Sequence, residues 1–115
     1  DTGHLMVGGD DPVEVAELAA GRVRIVHLKD VDRSLAEGVA SGKLGYEEAV
    51  RRGVFRHLGD GDVDTERVIE ALERSGYEGW YVLEQDIMLD EEPSASGGPK
   101  DNVARSLAYL TKVMQ

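Results

Sequence analysis

The chain contains no cysteine. That excludes disulfides and thiolate metal sites, and leaves oxygen and nitrogen as the donors for any bound ion. It also lacks a hydrophobic run long enough to span a bilayer, and no segment resembles a signal peptide. The expected location is the cytoplasm, with no membrane partner. Positive charge is scarce: 13 Lys and Arg stand against 23 Asp and Glu, for a formal net charge of -10. The acidic residues are spread along the chain rather than gathered in a tail. Their field repels phosphate backbones, so nucleic acid is not an expected partner. An initiating methionine is missing too. Asp1 opens on a polar motif as though a strand had just ended, which leads us to expect a fragment or a processed chain, with residues 1–115 forming one domain.

What the chain does have is alternation. Asp10-Asp11-Pro12 signals a helix start, an acidic cap followed by proline at the first helical position. Val13, Ala16 and Ala20 then share a face, with Leu18 and Ala19 beside them, and Gly21 is a stop. The β-rich run Val23–Leu28 follows and reads as a buried strand. The pattern is weaker from Val31 to Gly53: Leu35 and Val39 can share one helical turn, and Tyr46, Ala49 and Val50 a second short helix ending at Gly53. Leu58–Asp64 is a loop. Asp64 caps a helix that turns Val68, Ile69 and Leu72 inward and closes at Gly76. Trp80–Leu83 is the next buried strand, Asp90–Lys100 a surface loop, and Val103, Leu107, Leu110 and Met114 mark a final amphipathic helix. Such alternation implies right-handed βαβ units and a parallel sheet. Two strands are too few for a self-sufficient parallel sheet, so the chain is expected to need a missing portion or a second copy of itself.

Three polar signatures recur at the ends of these strands: Asp1-Thr2-Gly3-His4, then His27-Leu28-Lys29-Asp30, then Glu84-Gln85-Asp86. A carboxylate, an imidazole and a carboxylate make a set of hard divalent-metal ligands, and parallel sheets gather their strand C-termini at one mouth. Each residue also has a plainer role open to it. Asp1 and His4 can be a turn with a surface histidine. His27 can be a core imidazole satisfied by a backbone carbonyl. Glu84 can be paired with an Arg or Lys from a neighbouring strand, since a buried carboxylate needs either a counter-charge or a metal. Asp86 reads as loop solvation, and Gln85 as a second contact. Gly59-Asp60-Gly61 lacks the spacing and the preceding strand of a dinucleotide fingerprint, and its acids would repel a pyrophosphate. His57 beside it reads as a surface group or a support to the site.

Together the signatures resemble the sugar isomerase and epimerase group of xylose-isomerase-like (β/α)8 TIM barrels, and within it the myo-inosose-2 dehydratase family. The match runs through Asp1–His4, Val26–Val31, Gly53-Val54-Phe55, Gly59–Asp64 and Gly76–Trp80 leading into Glu84, and covers nearly the whole chain. The Gly53–Asp64 stretch is the part more particular to the dehydratases. The resemblance implies an α/β fold, the C-terminal part of a TIM barrel, about its last three βα units, with parallel strands alternating with helices.

It also implies a divalent ion, manganese or cobalt, with magnesium or zinc as alternatives. The ion would be held by Asp1, His27 and Glu84, with a fourth ligand, a Glu, expected on a strand upstream of residue 1. His4, Lys29 and Asp30 would contact a polyol or sugar substrate. Endonuclease members of the superfamily carry a second histidine two residues before the ligand, where Ile25 stands here, so a multi-zinc DNA-repair site is disfavoured.

The activity implied is dehydration of a polyol ketone such as 2-keto-myo-inositol. The ion would act as Lewis acid and stabilise an enediolate, with Glu84 and His4 moving protons. Sugar isomerisation or epimerisation shares the first half of that reaction and is the alternative. Two readings from other classes stand beside it. One is an inactive half-barrel that oligomerises, in which the three ligands are relics. The other is a small acidic binding module, in which Asp1, His27 and Glu84 do not converge.

Overall fold

β-Branched and long aliphatic residues with period-two burial make the first long strand. In β1 (Ile25–Leu28) Val26 and Leu28 are buried while Ile25 is exposed and His27 half-buried. The computed structural model describes the backbone of residues 1–115 and every side chain except that of Ala20, which lies outside the described side chains. The elements run α1 (Thr2–Gly8), α2 (Pro12–Ala19), a single 3-10 turn at Ala20–Arg22, β1, β2 (Asp30–Val31), α3 (Arg33–Ala40), α4 (Tyr46–Arg51), β3 (Phe55–Arg56), α5 (Thr65–Arg74), β4 (Trp80–Leu83) and α6 (Pro99–Val113).

β1 and β4 pair in parallel with Ile25 opposite Trp80 and Leu28 opposite Leu83, so both strands end side by side. The helices between them make this a βαβ-type crossover, as the alternation predicts. Two features were not anticipated. The opening motif forms the first turn of α1, whose N-cap is Asp1. A short antiparallel ladder also joins β2 to β3, pairing Asp30 with Arg56 and Val31 with Phe55. Two-residue strands leave no periodicity in a sequence, which is why they were not visible there.

Two apolar clusters flank the strand ends. One gathers Val13 and Ala16 of α2, Val26 and Leu28 of β1, Leu58, the inner face of α5 and Leu110 of α6. The other gathers Val7 of α1, Val31, Ala36, Ala49, Val50, Val54, Phe55 and Val63. Val68, Ile69 and Leu72 of α5 are all buried as expected. The expectation for α6 is corrected. Its buried side carries Ser106 and Leu110, with Tyr109 and Val113 packed against the core, while Val103, Leu107 and Met114 face outward. The Ser106 hydroxyl, accepting from the Leu58 N–H at 3.0 Å, turns the helix this way. β4 is not fully buried either: Trp80 is 77% exposed and Tyr81, Val82 and Leu83 are half-buried.

Asp30 fixes the loop before α5. Its side chain is 1% exposed. One carboxylate oxygen accepts from the Val31 and Val63 N–H groups, both at 2.9 Å, and the other from the N–H groups of Gly59 at 2.9 Å and Gly61 at 3.0 Å. A Cβ on Gly61 would lie 2.7 Å from the Val31 nitrogen, so only glycine lets the loop close this tightly. Four backbone donors on one carboxylate make Asp30 hard to replace. Asp30→Asn would aim an amide N–H₂ at N–H groups and should cost about 2–3 kcal/mol in urea unfolding. A loss below about 0.5 kcal/mol would show that the loop does not depend on this carboxylate.

Candidate metal centre

The period-two rule divides β1 and β4 into two faces. Val26 and Leu28, with Tyr81 and Leu83 across the ladder, pack into the first cluster. His27 and the continuation of β4 into Glu84 therefore share the other face. There His27 Nδ1 lies 3.0 Å from Glu84 Oε1 and 3.7 Å from Asp1 Oδ2. One ligand atom from each of Asp1, His27 and Glu84 falls within 4.8 Å of the others. These three groups, far apart in the sequence, converge.

The opening tetrapeptide builds its side of the centre residue by residue. Asp1 Oδ1 accepts from the His4 N–H at 2.8 Å, capping α1 and leaving Oδ2 to face the strands. The Thr2 hydroxyl donates to the Lys29 carbonyl at 2.8 Å and accepts from the Lys29 N–H at 2.9 Å, which staples the helix start to the end of β1. Gly3 leaves the room through which the Lys29 stem passes; a Cβ there would meet Lys29 Cγ and Cδ at 2.8 Å. His4 Nδ1 sits 3.2 Å from Asp1 Oδ2.

Lys29 lies at the middle of the centre and is 1% exposed. Its Nζ is 3.0 Å from both Asp1 Oδ2 and Glu84 Oε2 and is also paired with Asp86. The Phe55 ring lies below it, its centroid 5.0 Å from Nζ. The Lys29 hydrogen bond, with its charge and that of His27 adding to it, holds the Glu84 carboxyl below the ordinary range and ionised at neutral pH. Burial first, then the Lys29 charge, lowers His4 and favours its neutral ring. In that ring an Nδ1–H facing Asp1 leaves Nε2 as acceptor, and Tyr46 Oη stands 3.4 Å from it.

The donor set suits a hard or borderline divalent cation. It offers two carboxylates and one imidazole, and no sulfur. Bonds of about 2.0–2.2 Å put neighbouring ligand atoms about 3–4 Å apart, a span these side chains reach with small rotations. Charge agrees. Among the side chains, three carboxylates (Asp1, Glu84, Asp86) gather around one ammonium.

Not every residue expected at the mouth is found there. Asp30, expected to contact substrate, lies buried in the loop network described above, its carboxylate taken up by four backbone N–H groups. Lys29 reaches the centre but from beneath, not from an open wall. Asp86, read as loop solvation, instead pairs with Lys29 and stands 3.7 Å from His4 Nε2. Its place two residues beyond Glu84, on the same face of an extended chain, was the available signal. Gln85 turns back, its side-chain amide donating to the Glu84 carbonyl at 2.9 Å. His57 lies by its own loop, with Nδ1 3.2 Å from the Leu58 carbonyl oxygen. Phe55 and Tyr46 were not foreseen. They flank His4, the Phe55 ring meeting the imidazole edge-on at 5.6 Å, and single aromatics in a weakly patterned stretch carry no signal of that.

Comparison with known proteins now gives this geometry a family. A family model described as a xylose isomerase-like TIM barrel matches residues 1–113. An inosose dehydratase of Geobacillus thermodenitrificans (strain NG80-2) is 39% identical over 110 residues, which are 96% of this chain and 35% of that protein. One from Clostridium botulinum (strain Eklund 17B / Type B) is 35% identical over 115 residues, 100% of this chain and 35% of that protein. One from Lacticaseibacillus casei is 32% identical over 114 residues, 99% of this chain and 37% of that protein. The chain spans about a third of the length of the curated relatives it matches. Its parallel strands alternating with helices are those of part of a barrel, and the chain belongs to the xylose isomerase-like TIM barrel family.

Proposed function

We propose that this chain carries one side of the active site of a metal-dependent lyase that dehydrates a polyol ketone of the 2-keto-myo-inositol kind. The observation that carries the reading is the meeting of Asp1, His27 and Glu84 within 4.8 Å, in a chain whose relatives are named inosose dehydratase. Asp1, His27 and Glu84 would hold manganese or cobalt, which supplies Lewis-acid polarisation of a carbonyl oxygen.

The chain's own residues handle protons. Glu84, kept ionised by Lys29, accepts the proton next to the carbonyl, and the C–H electron pair becomes the new C=C bond. The β-hydroxyl departs as water with a proton conducted by His4, which is half-exposed and lies between Asp1, Asp86 and Tyr46. Phe55 below Lys29 and His4 excludes water from the ammonium and orients the imidazole. An isomerase would return the first proton to another carbon instead. The relatives' names favour dehydration, since the same ligands serve both reactions.

Two measurements test this. Titration of the chain with Mn2+ or Co2+ should show one site, and His27→Ala should weaken it by at least about 100-fold, since it removes the only nitrogen ligand. Undiminished binding by His27→Ala would remove His27 from the ligand set. Grafted in place of the matched stretch of the Geobacillus inosose dehydratase, the chain should support formation of a product lighter by one water. Glu84→Gln in that chimera should lower the rate by about 10²-fold or more while leaving its melting temperature within a few degrees. A chimera that keeps its rate without Glu84 would end the proton-acceptor role, and one that interconverts isomers of equal mass would replace dehydration with isomerisation.

A further inference from the structure

We propose that Lys29 is a built-in competitor for the metal, an internal cation that sets how tightly the centre holds a divalent ion. The inference rests on the metal reading above and adds to it a residue that regulates that site. The geometry supporting it is the sharing of oxygens. Lys29 Nζ hydrogen-bonds Asp1 Oδ2 and Glu84 Oε2, both at 3.0 Å, and these carboxylates belong to two of the three residues that converge on the candidate site. Asp1 Oδ2 also faces His27, 3.7 Å from its Nδ1.

The lysine is held where it is. Its side chain is 1% exposed. The stem runs past Gly3, where a Cβ would lie 2.8 Å from Cγ and Cδ. Its backbone is pinned in both directions by the Thr2 hydroxyl, and its head rests over Phe55. A buried ammonium without carboxylates would be costly, and so would three gathered carboxylates without an ammonium. The two therefore stabilise each other and keep the side chains assembled.

The same arrangement opposes a second cation. A divalent ion bound by these oxygens shares them with a fixed positive charge a few ångströms away, and repulsion between charges so close stays large even under strong screening. Assembly of the ligands favours binding, and repulsion disfavours it. Repulsion decides the sign, because Asp1 is independently held by the α1 cap and Glu84 by following directly on β4, which is paired with β1 up to Leu83. Asp86 completes the device: paired with Lys29 and outside the ligand trio, it gives the ammonium an acceptor that the metal does not need.

The test is Mn2+ binding by calorimetry to the unsubstituted chain, Lys29→Met and Lys29→Gln, with circular dichroism to confirm folding. Glutamine retains an N–H₂ donor for the carboxylates, so the comparison survives if the methionine variant does not fold. Removing the charge should lower the Mn2+ Kd by about tenfold or more. It should also enlarge the rise in melting temperature that saturating Mn2+ produces. An unchanged or higher Kd in a folded variant would overturn the competitor role while leaving the metal site intact. Absence of Mn2+ binding in all three proteins would overturn the metal reading itself, and the competitor role with it. Binding by the variants but not by the unsubstituted chain would support competition in its strongest form.

Discussion

One ammonium holds the functional end of this molecule together. Asp1, Glu84 and Asp86 come from the start of the chain and from the end of its last strand, and their carboxylates would repel one another if left alone. Lys29 donates to all three from a position almost wholly removed from water. In that setting a charge–charge contact is much stronger than at a surface, and losing one partner costs more than the pair is worth. The features nearest to it follow from the same requirement. Thr2 bonds both polar groups of the Lys29 backbone, Gly3 makes space for its stem, and Phe55 offers a π-face to its head.

A centre of this kind separates binding from assembly. In many metal sites the ligands are scattered until the ion arrives, and the ion contributes to folding. Here the ligands are already gathered by hydrogen bonds within the protein: an N-cap for Asp1, an imidazole for Glu84 and a lysine for both. These oxygens are therefore preorganised by the fold itself. The aromatic pair beside His4 adds to this order, with Phe55 edge-on to the imidazole and Tyr46 Oη 3.4 Å from its Nε2.

Much of this was legible in the sequence, and what was not has physical reasons. β1, β4, α2 and α5 announced themselves because each combines a long enough period with a start or stop residue. Asp64 caps α5 through its bond from the Arg67 N–H, as its position suggested. The convergence of Asp1, His27 and Glu84 followed from placing polar residues at successive strand ends. The helical nature of the first turn was hidden, because an Asp-Thr-Gly-His run carries no apolar repeat and α1 is only seven residues long. The facing of α6 does not follow its apolar residues alone, since Leu110 is buried and Leu107 is exposed. One buried serine bonded to a backbone N–H, with Leu110 and Val113 following it, determined its orientation. Hydrophobicity is a one-way guide here: Leu107 and Trp80 are exposed and Lys29 is not.

The adjacent pair Lys29-Asp30 shows the limit of a motif more sharply. As letters they lie together, just past the end of β1. In an extended chain, neighbours point to opposite faces, so at most one of them can face the centre. Lys29 takes the face shared with His27 and meets three carboxylates. Asp30 takes the other and meets four backbone N–H groups from β2 and the 59–63 loop. Each buried charge is satisfied, one by opposite charge and the other by backbone dipoles, and neither could exchange places with the other. The Asp30 side of that division carries the loop into α5, whose packing on α2 and β1 fixes the strand that presents His27. A residue that touches nothing at the centre is thus linked through the core to the strand that presents His27, and the two halves of one dipeptide join that centre to its scaffold.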